Sequence, residues 1–334
     1  MRSLLAALAV LVASCSSSTG EPGITTPDRD TATTGSPGGW VEMAPMEIAR
    51  SEHPAVVLHD EIVVLGGLIE VGVGRTGVTP TVEAYAPATD SWRHLTELPE
   101  ARHHGMAAAV GDRIFFAGGY TSSGDPTTAV WELVGGAWTG RAPIPIPVGA
   151  ASAIVVGDEI YLIGGVPDGL FHRYDVANDR WTALPSPPTQ REHLAAVNLD
   201  GEVWAIAGRW MGEIFESTDI FDIETGTWRD GPPLSEPRSG FGAAVVDDSV
   251  FVAGGEVFDP DETLTSVERL DDETAGWQPT ESLPQGLHGN PLVVVGSHVY
   301  LPGGSTRAAD VANDGATYRF EAPDTRSISA VISP

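Results

Sequence analysis

Six short apolar runs recur along the chain, and each stops at a pair of small residues. They read IVVLGG, IFFAGG, IYLIGG, VWAIAG, VFVAGG and VYLPGG, and they end at residues 67, 119, 165, 208, 255 and 304. Apolar side chains on successive positions predict strands that are covered on both faces. A polar corner and a further apolar stretch precede every run, so each repeat is predicted to open with a β-hairpin.

A tryptophan stands 26 residues before the first small residue of every pair. The six are Trp40, Trp92, Trp138, Trp181, Trp228 and Trp277. From each pair to the next tryptophan the distance varies between 16 and 25 residues, which is typical of loops, whereas a constant distance is typical of packed elements. A bulky residue seven positions before most tryptophans predicts a third strand, and the tryptophan marks a fourth. These bulky residues are Tyr85, Trp131, Tyr174, Phe221 and Leu270.

Four short antiparallel strands in each of six units, repeating every 43 to 52 residues, predict an all-β fold, a six-bladed β-propeller. The double glycine, the bulky residue and the tryptophan together resemble the kelch repeat from residue 38 to about residue 327. Ser327 stands where the last unit would have a tryptophan, and Trp40 has no glycine pair before it. We therefore predict that an N-terminal outer strand completes the last blade and closes the ring.

The N-terminal segment has the pattern of an export signal. Residues 1–15, MRSLLAALAVLVASC, combine an early arginine with an apolar run that is too short to span a bilayer. The end of this segment resembles the lipobox of bacterial lipoproteins, which implies that Cys15 is lipidated. An ordinary signal peptide with an incidental Cys15 is the alternative. Residues 16–38 are predicted to form a disordered tether rich in Ser, Thr, Gly and Pro, and residues 39–334 the propeller.

Charge and cysteine content exclude several function classes. The chain has 46 acidic and 18 basic residues, giving a net charge of -28, and every basic residue is an arginine. Such a charge repels nucleic acid and anionic lipid, so we expect membrane contact only through the lipid anchor. The absence of lysine excludes a Schiff-base lysine. Galactose oxidase, which the kelch resemblance also suggests, needs a cysteine joined to a tyrosine, and the single cysteine lies in the export signal.

An arginine stands ten residues after four of the tryptophans. These are Arg50, Arg102, Arg191 and Arg238, whereas Val148 and Leu287 take this position in the third and sixth units. Two interpretations stay open. The arginines bond loop carbonyls between blades, which we favour, or they form a ring that binds an anion.

The next two positions, and the residue after each glycine pair, differ from unit to unit and are predicted to meet at one mouth of the propeller. A mixture of histidine, arginine, tyrosine and acids there suits a sugar, a carboxylate or an acidic peptide. Because these residues lie beside loops, we expect their replacement by alanine to change stability little. The ligand-binding candidates are Arg50, Arg102, His103, His104, Tyr120, Glu192, His193, Arg209, Arg238, Glu256 and His288.

Three of the histidines fall in alternate units. His104, His193 and His288 would lie about 120° apart in a six-fold ring, which suggests a three-histidine metal site. The mouth of a propeller is expected to be wide, however, and its loops would have to bend inward to bring three imidazoles to one ion. We therefore predict no metal and no cofactor.

Three functions remain. The first choice is an exported monomer, anchored by its lipid and facing the periplasm or the cell exterior, that binds an envelope protein or a carbohydrate without catalysis. The alternative is a sugar-directed isomerase resembling the sialic-acid mutarotase group, with Glu192, His193 and Arg209 as base, acid and carboxylate clamp. The third is a structural spacer, and fold alone does not decide among them.

Overall fold

The computed structural model describes residues 39–167 and 169–321, and these residues form strands and turns without a helix. Six antiparallel sheets of four strands each make up the bulk of the fold, which confirms the six-bladed propeller. Cys15, the predicted tether and Ser327 lie outside the described residues.

Among the described residues, no helix is long and apolar enough to cross a membrane.

The first three blades follow one another along the chain. Blade 1 contains β2 (Ala55–Leu58), β3 (Glu61–Leu65), β6 (Val82–Ala86) and β7 (Ser91–His94). Blade 2 contains β8 (Met106–Val110), β9 (Arg113–Ala117), β10 (Val130–Val134) and β11 (Ala137–Gly140). Blade 3 contains β12 (Gly149–Val156), β13 (Glu159–Val166), β14 (Leu170–Asp175) and β15 (Arg180–Ala183).

The remaining blades repeat this order until the last, which takes its outer strand from the N-terminal end. Blade 4 contains β16 (Ala195–Leu199), β17 (Glu202–Ile206), β20 (Thr218–Asp222) and β21 (Thr227–Gly231). Blade 5 contains β22 (Gly242–Val246), β23 (Ser249–Ala253), β26 (Val267–Leu270) and β27 (Gln278–Pro279). Blade 6 contains β28 (Val293–Val295), β29 (His298–Pro302), β30 (Thr317–Glu321) and β1 (Gly39–Met43).

The ring closes as the sequence predicts. Strand β1 lies antiparallel to β30, with Gly39 opposite Glu321 and Met43 opposite Thr317. This pairing gives blade 6 its fourth strand. Strand β1 thus covers the edge of β30 and takes the place of the outer strand that the other blades supply themselves.

Three blades carry an additional hairpin between their second and third strands. These hairpins are β4 (Leu68–Gly72) with β5 (Arg75–Val78) in blade 1, β18 (Arg209–Trp210) with β19 (Glu213–Ile214) in blade 4, and β24 (Glu256–Val257) with β25 (Glu262–Thr263) in blade 5.

Trp131 lies in the third strand of blade 2, as predicted, but this blade pairs its third and fourth strands in a different register. The tryptophan of the fourth strand lies opposite the bulky residue of the third in blades 1, 3 and 4, but Trp138 of blade 2 lies opposite Leu133 and not Trp131. The turn between these strands is only Gly135 and Gly136, shorter than in the neighbouring blades, so counting seven residues back overshoots by two positions.

The core consists of six apolar clusters, one between each pair of neighbouring blades. Ile114 and Phe116 of blade 2, for example, pack against Val63 and Leu65 of blade 1. At the closure, residues of blades 6 and 1 form an equivalent cluster around Tyr300. Each sheet is thus buried on both faces, which explains why the apolar runs do not alternate with polar residues.

The glycine pairs are required by the neighbouring blade as well as by the turn. Gly66 has a φ of 64° and Gly67 a φ of 108°, a left-handed region in which glycine is favoured. A Cβ on Gly66 would lie 2.4 Å from the Arg102 carbonyl oxygen of blade 2. The Gly67 N–H donates to that same oxygen, and the equivalent bond recurs at all six blade junctions. The second glycine thus joins one blade to the next.

The tryptophans form a further set of bonds between blades, which we call the outer ring. Each indole Nε1–H donates to the backbone carbonyl of the residue four positions after the tryptophan of the preceding blade. The six pairs are Trp40 to Glu281, Trp92 to Ala44, Trp138 to Thr96, Trp181 to Ala142, Trp228 to Pro185 and Trp277 to Pro232. The indole therefore contributes a directional bond in addition to its apolar area.

Candidate functional site

Three of the four arginines face the strands of their own blade. Arg50, Arg191 and Arg238 are fully buried. None of them lines the cavity at the mouth of the ring, which is instead lined by residues such as Arg209 and Glu256. In each, Nη1 donates to two backbone carbonyls, one at the glycine pair and one just before the third strand. Nη2 pairs with a carboxylate of the third strand. The carboxylates belong to Glu83, Asp219 and Glu268. Arg50 and Arg238 thus each stabilise their own blade, and their side chains do not line the mouth.

Arg102 departs from this arrangement because its blade has no acid at the equivalent position. Trp131 stands there, and the Arg102 guanidinium lies over its ring, 5.1 Å from the centroid. Its Nη2 pairs with Glu100 at 2.8 Å, and Arg102 is only 3% exposed. A cation over an aromatic face replaces the buried ion pair of the other blades. Arg102 is therefore a structural residue as well.

The two sets of variable residues meet at one mouth of the ring. The residue after each arginine position lies opposite the residue after its glycine pair in every blade. The pairs are Ser51 with Leu68, His103 with Tyr120, Gly149 with Val166, Glu192 with Arg209, Ser239 with Glu256, and His288 with Ser305. The structure thus brings together His103, Tyr120, Glu192, Arg209, Glu256 and His288 from four different blades.

The second residue after each arginine position forms a closed circle, which we call the inner ring. Its members are Glu52, His104, Ala150, His193, Gly240 and Gly289. Each donates its backbone N–H to the carbonyl of the member in the preceding blade, at 2.6 to 3.0 Å, and the last of these bonds joins Glu52 to Gly289. All six residues have positive φ, between 50° and 62°. The left-handed turn bends every loop toward the axis.

This circle is narrow, so its larger side chains converge. Glu52 Oε2 lies 3.1 Å from His104 Nε2, and His104 Nε2 lies 2.9 Å from His193 Nε2. The remaining distance, from His193 Nε2 to Glu52 Oε2, is 4.0 Å. The expectation of a wide mouth is therefore wrong, because the loops hydrogen-bond to one another across the axis.

Arg209 is bound by carboxylates of the chain itself. Its Nε donates to Glu192 Oε1 at 2.8 Å, and its Nη1 donates to Glu256 Oε1 at 2.7 Å. The guanidinium also lies over the ring of Phe258, 5.1 Å from the centroid. The other oxygen of Glu192 is 2.8 Å from His193 Nδ1. Glu192, His193 and Arg209 thus do lie together, but the carboxylate-binding side of Arg209 is already occupied.

His288 connects this network to the loop between β29 and β30, which we call the roof loop. Its Nδ1 lies 3.4 Å from both Glu52 Oε1 and Glu256 Oε2, and its Nε2 is 3.3 Å from the Asp310 carbonyl oxygen. The loop that contains Asp310 connects β29 to β30 and bends over the mouth, where the Ala309 N–H donates to Glu256 Oε2 at 2.7 Å. Blade 6 thus partly covers the charged cluster.

Burial and neighbouring charges set the ionisation of the cluster. Burial opposes ionisation of Glu52, but the nearby imidazoles of His104, His288 and His193 hold the pKa of its carboxyl well below the ordinary value. Burial lowers the pKa of His104 to about 3.

Two further groups are held charged against the effect of burial. The carboxylates of Glu52 and Glu256 overcome burial at His288 and raise its pKa to about 9. His193 and Arg209 overcome burial at Glu192 and lower its pKa to about 2. At neutral pH the cluster therefore contains charged Glu52, Glu192 and His288 beside a neutral His104.

Two cavities meet at the inner ring. One of about 180 Å³ lies on the mouth side and is lined by Arg209, Glu256, His288 and the roof loop. The other, of about 200 Å³, is the central channel along the first strands of the blades. Glu52, His104 and His193 line both, so these side chains stand between mouth and channel. His103 and Tyr120 lie beside them, with the Tyr120 ring 5.6 Å from that of His104.

Sequence reasoning missed Glu52 and overestimated the exposure of the site. The Glu52 side chain is 11% exposed and that of His193 is 8%. Replacing either residue with alanine therefore disturbs a buried network of charged groups. The expectation that alanine at the mouth residues changes stability little is wrong for His193. Glu52 was detectable, since it holds the same position after Arg50 as His193 does after Arg191. Its contact with His104 depends on the narrow ring, which the spacing alone does not reveal.

Comparison with known proteins agrees with this architecture. The family model of the Kelch motif matches residues 49–99, 190–235 and 237–284. These segments correspond to blades 1, 4 and 5, the three blades with the buried arginine–carboxylate pair and the additional hairpin. The solved structure of YjhT covers 83% of this chain and 96% of its own, with a TM-score of 0.69 and 15% identity, which shows a shared fold.

Several curated proteins are similar in sequence, but this chain matches a smaller share of their length than it does of YjhT. Kelch-like protein terF of Aspergillus terreus is 27% identical over 80% of this chain and 65% of its own. Alpha-scruin of Limulus polyphemus is 27% identical over 79% and 32%, and human Kelch-like protein 23 is 24% identical over 77% and 46%. This chain thus spans between about a third and two thirds of these relatives. In its three motif matches, in these relatives and in its six-bladed ring, the chain is similar to kelch-repeat propellers.

Proposed function

We propose that this propeller is an exported binding module that recognises a protein partner with the face that carries the mouth. Kelch propellers typically serve as protein-binding modules. The observation that carries the proposal is a pair of apolar hairpin tips on that face. Val71 and Val73 at the tip of β4–β5 are 49% and 105% exposed, and Met211 at the tip of β18–β19 is 92% exposed.

The two hairpins border the same mouth, so one partner can contact both tips. Leu68 and Arg209, at the bases of the two hairpins, both line the mouth cavity. Blades 1 and 4 lie opposite each other in a six-bladed ring, so the apolar tips stand on either side of the mouth. Large apolar side chains fully exposed to water are unfavourable in a free protein, and their coverage by a partner stabilises a complex.

Charge defines the partner further. The hairpins of blades 1, 4 and 5 carry five exposed acids against one exposed arginine, Arg75. The acids are Glu70, Glu213, Asp259, Asp261 and Glu262. A partner with an apolar centre and a basic rim complements this face, and the overall charge of -28 accelerates its association.

Site-specific photo-crosslinking in the host cell tests this function. A photoreactive amino acid placed at Val73 or at Met211 should yield the same protein adduct, identified by mass spectrometry. The matched control is Val134, which is 45% exposed but is the last residue of β10, at the end of the strands opposite the mouth. An adduct that forms equally at Val134, or the absence of any adduct at Val73 and Met211, would contradict the proposal.

We also propose that the module is lipid-anchored through Cys15, which would tether the propeller at the cell envelope. Export and lipidation rest on the signal-like residues 1–15. The Cys15→Ala variant should therefore leave the membrane fraction and appear in the medium or the periplasm, as measured by fractionation and immunoblotting. Membrane retention equal to that of the unmodified chain would show that Cys15 is not the anchor.

A further inference from the structure

We propose that Glu52, His104 and His193 bind one divalent transition-metal ion of the zinc class on the axis of the propeller. The ligands would be Glu52 Oε2 and the Nε2 atoms of both histidines. This site does not depend on the protein-binding function, since it lies on the inner ring and not on the hairpin tips.

The distances among the three ligand atoms fit a metal of this class. They form a triangle with sides of 2.9, 3.1 and 4.0 Å. An ion at the centre of such a triangle lies about 2.0 Å from every corner, which is the bond length of zinc to histidine nitrogen and carboxylate oxygen. A small approach of Glu52 to His193, which form the longest side, would bring the three ligands to the tetrahedral arrangement that zinc prefers. Two imidazoles and a carboxylate are a common ligand set for first-row metals. The ion would have open positions toward the mouth and toward the channel.

Neighbouring groups hold both histidines in the orientation that metal binding needs. Glu192 Oε2 lies 2.8 Å from His193 Nδ1, which places the proton on Nδ1 and leaves the Nε2 lone pair facing the axis. His104 Nδ1 contacts His103 Nδ1, so its Nε2 also faces the axis. A carboxylate bound to the far nitrogen is typical of metal-binding histidine, because it fixes the tautomer and raises the basicity of the ligand.

The charge of the cluster favours a cation. Three carboxylates, Glu52, Glu192 and Glu256, surround the site with exposed fractions between 2% and 18%. The guanidinium of Arg209 pairs with Glu192 and Glu256. His288 lies between Glu52 and Glu256. The remaining negative charge, in a largely buried location, attracts a divalent ion.

Arg209 does not occupy the ligand position. Its Nη2 is 3.3 Å from both Nδ1 and Nε2 of His193. Equal distances to the two ring nitrogens place the guanidinium over the face of the imidazole. The Nε2 lone pair lies in the plane of the ring, so it remains directed at the axis.

Zinc binding by the full-length chain tests the site. The protein, carrying Cys15→Ser so that its one thiol cannot bind metal, is stripped with a chelator and titrated with Zn²⁺ alone. Calorimetry and elemental analysis should give one ion per chain. Glu52→Gln, which preserves side-chain shape, and His193→Gln should abolish stoichiometric binding. Glu192→Gln, which removes only the orienting carboxylate, should weaken binding by about 10- to 100-fold.

The chain offers a matched control at a second group of possible ligands. Glu47, Glu83 and His94 also lie within reach of one another, but Glu83 pairs with buried Arg50, and Glu47 and His94 are half exposed. The Glu47→Gln/His94→Gln variant should therefore bind zinc like the parent. Thermal unfolding checks that every variant is folded. Absence of zinc binding by the parent, binding unchanged in the folded Glu52→Gln variant, or loss of binding in the control variant would each overturn the proposal.

Discussion

The inner and the outer ring both close the propeller with six hydrogen bonds between blades, but they do so with different parts of the chain. The outer ring uses the same side chain six times, a tryptophan that donates to a backbone carbonyl. The inner ring uses only backbone groups, and its six side chains are one glutamate, two histidines, one alanine and two glycines.

This difference determines where the sequence is free to vary. A bond made by a side chain fixes that residue, so every blade keeps its tryptophan. A bond made by the backbone leaves the side chain available, so the inner ring combines six-fold geometry with unequal chemistry. The inner ring is therefore where polar side chains can differ from blade to blade, while the outer ring supplies stability.

Breaking the outer ring at its closure should give the largest effect. Deleting residues 1–48 removes β1, the Trp40 indole and the Ala44 carbonyl that accepts from Trp92. It also exposes the edge of β30. We expect loss of cooperative thermal unfolding together with aggregation, measured by calorimetry and light scattering, whereas deletion of residues 1–36 leaves a folded domain. A 1–48 deletion that unfolds like the shorter one would contradict the role of β1.

Replacing one tryptophan of the outer ring should lower the stability of the propeller strongly without preventing it from folding. Trp181→Ala deletes both the bond to Ala142 and the packing of the indole between blades 2 and 3. Since Trp181 is only partly buried, we expect a loss of about 3 kcal/mol, the low end for such a replacement. Trp181→Phe keeps most of the packing and should lose about 1–2 kcal/mol for the unpaired carbonyl. Denaturant unfolding measures both, and equal losses would show that the hydrogen bond matters little.

A matched pair of glycines sharpens the comparison at the inner ring. Gly240 and Gly289 have φ values of 62° and 61°, so alanine at either position suffers the same backbone strain, about 1 kcal/mol. A Cβ on Gly240 meets nothing closer than 3.5 Å, whereas one on Gly289 lies 2.6 Å from Glu52 Oε1 and 2.9 Å from the Glu52 backbone nitrogen.

The two variants should therefore differ, although both effects are smaller than those at the outer ring. We expect a loss of about 1 kcal/mol for Gly240→Ala and about 2 kcal/mol for Gly289→Ala, because only the second forces Glu52 to move. Denaturant unfolding of the pair provides the measurement. Identical losses would indicate that the ring is loose enough to absorb the additional methyl group at either place.

The sequence predicts the fold far better than the site. The constant spacing from tryptophan to glycine pair is a property of packed strands, so six blades and the closing strand follow from counting residues. Trp131 also lies in a third strand as predicted, and only its register against the fourth strand differs, because the turn of blade 2 is shorter. At the mouth, the sequence identifies His104, His193 and Arg209 as neighbours by position. It does not reveal the positive φ of the inner ring, and hence neither the narrow axis nor the role of Glu52.

The pairing of β1 with β30 also has a consequence for the order of folding. Strand β1 is the first strand of the ring to leave the ribosome, and its partner is the last. Blades 1 to 5 are complete in themselves and can form in sequence, but blade 6 must wait until residue 321 has been made. Closure of the ring is thus a late event that joins distant parts of the chain, which slows folding. A chain released before β30 is made has five blades and a strand with no sheet to join.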